Sequence, residues 1–128
     1  MNDPDFLLQF ENCTLPKENL THKGHIRLAW LYLSKSSLTE ASDAITTGIQ
    51  KFAASIGASH IYNETLTLAW IYLVNDAMQK NNQDTFDKFI LVNQYLLEST
   101  LPLQFYTKEC LYSDAAKQHW VEPDLKPI

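Results

Sequence analysis

Two short stretches of this 128-residue chain gather the side chains best suited to proton transfer and ligand binding. One is Thr21-His22-Lys23-Gly24-His25, the other His60-Ile61-Tyr62-Asn63-Glu64-Thr65. Histidines three apart on a helix share a face, which brings the imidazoles of His22 and His25 within reach of each other. Such a pair can ligate a metal, or one ring can serve as general base while the other orients it. Glu64 can act as a third ligand or as the carboxylate that fixes a histidine tautomer. Tyr62, Asn63 and Thr65 add a phenol, an amide and a hydroxyl that can hold a small polar or anionic ligand. The same groups have structural uses: Glu64 can cap its own helix, the histidines can bond loop carbonyls, and a tyrosine usually packs its ring and wets its tip. HxxH alone is a weak metal signature. The ligand-binding set is therefore His22, His25, Tyr62, Asn63, Glu64 and Thr65, with no metal and no cofactor assigned.

Other reactive types are isolated. Arg27, the only arginine, lies two positions beyond His25 and so faces another side of its helix. It can fork onto a carboxylate such as Glu40 or onto a ligand anion, and a surface or interface ion pair is its commoner use. His60 falls in a loop, and His119, beside Trp120, is placed to tether the tail. Cys13 and Cys110 lack CxxC spacing and read as reduced thiols. No GxSxG, glycine-rich phosphate loop or HExxH occurs.

Helical periodicity positions these residues. After a short apolar opening (Phe6, Leu7, Phe10) and a Thr14-Leu15-Pro16 turn, Thr21 caps a helix expected to run to about Lys35. Ser37-Leu38-Thr39-Glu40 has the form of a capping box. It opens a helix with Ala41, Ala44, Ile45, Ile49, Phe52 and Ile56 at three-to-four spacing, closed by Gly57 where a left-handed cap wants glycine. A third helix is expected from about Asn63 to Lys80. A polar loop follows, with Asp84 as the cap of a fourth helix from about Thr85 to Glu98, ended by Pro102. The tail from Leu103 holds one or two short helices, one starting near Ser113-Asp114 and stopped by Pro123 and Pro127. No segment alternates as a strand does. The fold class is all-α: an irregular bundle of four main helices, with a short N-terminal helix and a packed C-terminal extension, in one domain over residues 1–128.

Leu28-Ala29-Trp30-Leu31-Tyr32-Leu33 returns forty residues later as Leu68-Ala69-Trp70-Ile71-Tyr72-Leu73. In an up-down-up arrangement both copies lie on parallel helices at similar heights, with Trp30 and Trp70 in the core. Their N-termini, which carry the two polar stretches, then share one end of the bundle. Unpaired backbone amides and positive helix dipoles gather there, an environment that attracts anions.

Composition bounds the partners. The net charge is -5 with 45% hydrophobic residues, and area scaling has folding remove roughly 14,000 Å² from water, enough for one real core. A sequence pI near 5.2 and scattered lysines exclude a nucleic-acid binder. The longest largely apolar stretch, Leu66 to Val74, is far shorter than the roughly 20 residues that span a bilayer, so no membrane partner is expected. Residues 1–12 carry Asp3, Asp5 and Glu11 and no basic residue, unlike a signal peptide's start. The expectation is a cytoplasmic protein.

The motifs also resemble those of a family of small, all-helical bacterial proteins without an assigned reaction. That family has a Phe-rich start, TLP, HxxH[LI]RxAWxYL, a Gly-Ile helix, YHET, SxxA[KR] and PDLxP. The matching residues here are Thr14 to Pro16, His22 to Leu33, Gly48-Ile49, Tyr62 to Thr65, Ser113 to Lys117 and Pro123 to Pro127. Asn63 departs from the pattern, standing where the family carries histidine. Asparagine is a poor transition-metal ligand but can still hydrogen-bond a ligand. The resemblance implies the helical fold and the location of a site, and no chemistry.

Three functional classes follow. The first is binding of a small polar or anionic ligand at the HxxH and YNET segments. The second is an enzyme using His22, His25 and Glu64 for acid-base or metal chemistry. The third is a protein-protein interaction module without a pocket, with a homodimer as one form.

Overall fold

The computed structural model describes all 128 residues and contains seven α-helices and no strand. The chain's internal contacts divide it into two units, Met1–Tyr62 and Asn63–Ile128.

In the first unit, α1 (Asp3–Glu11) is capped by Asn2, whose side chain accepts from Asp5 N at 2.9 Å. Phe6 and Phe10, one turn apart, are its buried face. Cys13 takes a left-handed conformation (φ 58°), and the Thr14 and Leu15 amides both return to the Gln9 carbonyl, at 2.8 and 3.1 Å. This turns the chain toward α2 (His22–Lys35), where Thr21 Oγ1 accepts from Gly24 N at 3.2 Å. Ile26, Leu28, Ala29, Trp30, Leu31 and Tyr32 are buried along α2.

The Ser37/Glu40 capping box forms at the start of α3 (Leu38–Ser55). Serine Oγ accepts from Glu40 N at 3.1 Å, and Glu40 Oε1 accepts from Ser37 N at 3.2 Å. At the other end Gly57 has φ +71°. Ala58 N reaches Ala53 O at 2.8 Å and Gly57 N reaches Ala54 O at 3.2 Å, the paired bonds of a Schellman cap. α3 packs on α1 and α2. Phe10 stacks on Phe52 with ring centroids 6.2 Å apart. Gly48 makes room for that ring, since a Cβ there would lie 2.6 Å from Phe10 Cε2.

In the second unit, α4 (Glu64–Asn81) is capped by Asn63. The next helix differs from its expected span: α5 covers only Phe86–Val92, and Gln94–Leu97 is a 3₁₀ turn. Its cap is Thr85, which accepts from Lys88 N at 3.2 Å. Asp84 pairs instead with the Lys88 ammonium at 3.3 Å. Asn93 explains the early stop. Its buried amide donates to both Asn81 O and Phe89 O at 2.9 Å, a side-chain competitor for the helix's own ladder. Pro102 does not follow a long helix; it sits inside a second 3₁₀ turn, Leu101–Gln104. α6 (Lys108–Leu111) and α7 (Asp114–Gln118) follow, capped by Thr107 and Ser113, and α7 lies against α4. Ala69, Tyr106 and Leu111 form a buried cluster, with Leu66, Phe105 and Trp120 packed on it.

The repeated LAW motif does not give equal environments. Trp30 is 6% exposed, whereas Trp70 is half-buried, and Tyr32 is buried where Tyr72 is half-buried. Burial is set by what neighbouring elements cover, and identical helix faces do not guarantee identical cover.

Candidate functional site

Each singled-out residue has a definite place within its own unit. His25, half-buried on the first turn of α2, holds its Nδ1 2.8 Å from the Thr21 carbonyl oxygen. A carbonyl can only accept, so Nδ1 carries the hydrogen and, in the neutral ring, Nε2 is the acceptor. Burial holds the ring below the ordinary 6.5; the bond to Thr21 opposes this, and the charge of His22 assists it. His25 is therefore a neutral, oriented imidazole near pH 7. His22 is half-buried one turn before it. Tyr62 is half-buried and follows the 3₁₀ turn Ser59–Ile61, with its amide on Ser59 O at 3.3 Å.

In the second unit two polar groups of the YNET segment, Asn63 and Thr65, are engaged by the fold. Asn63 is 6% exposed. Its Oδ1 accepts from Leu66 N at 2.9 Å, and its Nδ2 donates to the Leu111 carbonyl at 2.8 Å. A residue with the look of a ligand contact thus joins the start of α4 to the end of α6. Thr65 has no exposure at all. Its Oγ1 donates to His119 O at 2.8 Å and accepts from Val121 N at 3.1 Å. Glu64, half-buried, opens α4. Burial, then the charges of Glu64 and Glu122, push the Tyr72 phenol up.

Arg27 and His119 also have structural partners. Arg27 does not reach Glu40, whose carboxylate serves the capping box. Its Nη2 and Nε bond Asp3 Oδ1 at 2.7 and 3.2 Å, its Nη2 also bonds Met1 O at 2.9 Å, and its guanidinium lies 4.4 Å from the Phe6 ring centre. The ion pair tethers α1 to α2. His60 is exposed in its turn. His119 does tether the tail, through its carbonyl rather than its ring. Both cysteines are free and half-buried. Burial and the nearby Asp124 carboxylate push the Cys110 thiol up, which keeps it protonated and a poor nucleophile.

Two groups went unnoticed in the sequence. Tyr106 has no exposure, and its hydroxyl donates to Val121 O at 2.6 Å. Asp124 accepts from Thr107 N at 2.8 Å and from Thr107 Oγ1 at 2.7 Å. Those bonds hold its carboxyl below the usual carboxylate range. The Pro-Asp-Leu-x-Pro ending was the available signal, read as a helix stop and a family motif with no role for Asp124.

No group of three or more His, Cys, Asp or Glu side chains is arranged to hold a metal ion, and no helix is long and apolar enough to cross a membrane. Comparison with protein-family models, curated proteins and solved structures finds no match to this chain.

Proposed function

We propose that the protein binds a small polar ligand at the HxxH segment, through the Nε2 atom of His25. The observation that carries this reading is the 2.8 Å bond from Nδ1 to Thr21 O, which fixes the ring's tautomer and its orientation and makes Nε2 the acceptor of the neutral ring. With Asn63 and Thr65 engaged within the second unit, His22 and His25 are the groups on which the reading rests. A neutral imidazole accepts, so the favoured ligand brings a hydroxyl or N–H donor. An anionic ligand instead requires the ring protonated, and its binding tightens as pH falls through the depressed His25 pKa. The same ring meets the first requirement of a general base, a basic atom held in one orientation, so an acid-base enzyme is the catalytic form of this reading. The motif resemblance and two free thiols favour a bacterial, cytoplasmic setting.

Long-range ¹H–¹⁵N correlation spectra test the tautomer directly: the expected pattern is Nδ1–H with a titration midpoint below 6.5. A thermal-shift screen of polar metabolites is expected to yield compounds that stabilise the native protein and not His25→Ala. Equal responses in both proteins refute the assignment.

One observation favours a second reading, an interaction module. Leu91 (67% exposed), Val92, Tyr95 and Leu97 expose apolar surface within seven residues of the second unit, and no charge lies between Phe89 and Leu97. Sedimentation at micromolar concentration tests it: a strict monomer removes the homodimer, and a dimer lost in Leu91→Ser supports it.

A further inference from the structure

The C-terminal segment from His119 to Ile128 has no helix, yet its backbone and side chains are bound as an extended peptide is bound. Thr65 Oγ1 reads two points of its main chain, His119 O and Val121 N, and Tyr106 reads a third, Val121 O. A fourth main-chain bond runs from Leu125 N to Phe105 O at 2.9 Å. Two side chains serve as anchors. The Trp120 ring sits edge-on to Tyr72 and Tyr106, with centroids 5.1 and 6.2 Å away. Asp124 receives the Thr107 amide and hydroxyl, the free donors at the start of α6. Most of the segment is exposed; Trp120, Val121 and Pro123 are half-buried. Main-chain reading combined with one aromatic and one acidic anchor is how a groove recognises an extended peptide.

We propose that the surface formed by Thr65, Tyr72, Phe105, Tyr106 and Thr107 is a peptide-recognition groove that the chain's own C-terminal segment occupies, and that the same segment of a second copy is the partner it fits. The occupant defines the ligand chemistry: an extended Trp-Val-Glu-Pro-Asp-Leu sequence. Exchange needs a change of direction at one point, His119, whose backbone is already extended (φ -155°, ψ 169°). Tethering gives the resident segment a high effective concentration, so it excludes a second copy until one of its anchors is weakened.

The test uses the full chain and a fluorescent peptide of residues 119–128. Asp124→Ala loosens the resident segment while leaving the groove residues intact, and the added peptide keeps its own Asp124. Loss of the charge-assisted bonds is expected to raise peptide affinity roughly tenfold or more over the native chain. Adding Thr65→Val to that variant is expected to abolish the gain, and a peptide carrying Asp124→Ala is expected to bind at least tenfold more weakly than its parent. Asp124→Asn, which keeps the side-chain shape, is expected to fall between native and Asp124→Ala and carries the test if the alanine variant does not fold. No saturable binding by the folded variants, equal affinity for native and loosened chains, or indifference to the peptide's Asp124 would each overturn the proposal.

Discussion

Asn63→Ala separates a structural role for the YNET segment from a ligand-contact role. The side chain performs two tasks. Its Oδ1 caps α4 through Leu66 N, a contribution of about 0.5–2 kcal/mol when such a residue is replaced by alanine. Its Nδ2 satisfies the buried-side Leu111 carbonyl, and leaving that acceptor unpaired costs about 1–3 kcal/mol. Together these give a loss of about 2–4 kcal/mol, taking the midrange of each. For a chain of this length that is roughly 6–16 °C in Tm, at about 3–4 °C per kcal/mol. Tryptophan fluorescence and far-UV circular dichroism during urea and thermal unfolding would measure it, the first through Trp30, Trp70 and Trp120 and the second through total helix content. Asn63→Asp adds a sign. The carboxylate keeps the cap but sets an acceptor against the Leu111 carbonyl, so its folded pKa rises above the ordinary value of about 3.9. The unfolded chain then releases its proton at lower pH than the folded chain does. Stability relative to the native protein is expected to be greatest at low pH and to fall as pH rises from about 4 through the raised pKa. A loss below about 1 kcal/mol in Asn63→Ala, or a gap in Asn63→Asp that does not widen with pH, refutes the double role assigned here.

Three further outcomes are expected. Gly48→Ala gains up to about 1 kcal/mol of helix propensity but drives a methyl to 2.6 Å from Phe10; a net loss of about 1–2 kcal/mol by urea titration, relieved by Phe10→Leu, checks the overpacking. Arg27→Lys keeps the charge and loses the forked contact with Asp3 and the stacking on Phe6, so a destabilisation of about 1 kcal/mol that weakens little in 0.5 M salt is expected, and no change would assign the arginine no role at α1. Because the folded pKa of His25 is depressed, its contribution to stability is present above the unfolded pKa of about 6.5 and lost as pH falls through the folded value. The stability of His25→Gln is therefore expected to depend less on pH between 5 and 7 than that of the native protein.

Local signals were legible wherever the chemistry was local. Thr21, Ser37 with Glu40, Gly57 and Ser113 each mark a helix end through bonds to residues within a turn or two, and each forms as its residue type predicts. The all-α class follows from apolar spacing alone. The fourth helix was overextended because periodicity continues past Val92, while the stop comes from Asn93 reaching back to Asn81 across a loop.

The roles of the polar residues belong to tertiary structure. Asn63 and Thr65 carry the same donors and acceptors whether they face a ligand or a carbonyl, and only the return of the chain 48 and 54 residues later supplies Leu111 O and His119 O. Arg27 found its carboxylate 24 residues upstream, in Asp3, by the same logic. Sequence by itself determined where helices begin and which faces are apolar, since those depend on contacts one turn away. It left open which polar group meets which, because a hydrogen bond is specific in distance and angle but not in sequence separation, and folding alone brings the two ends together.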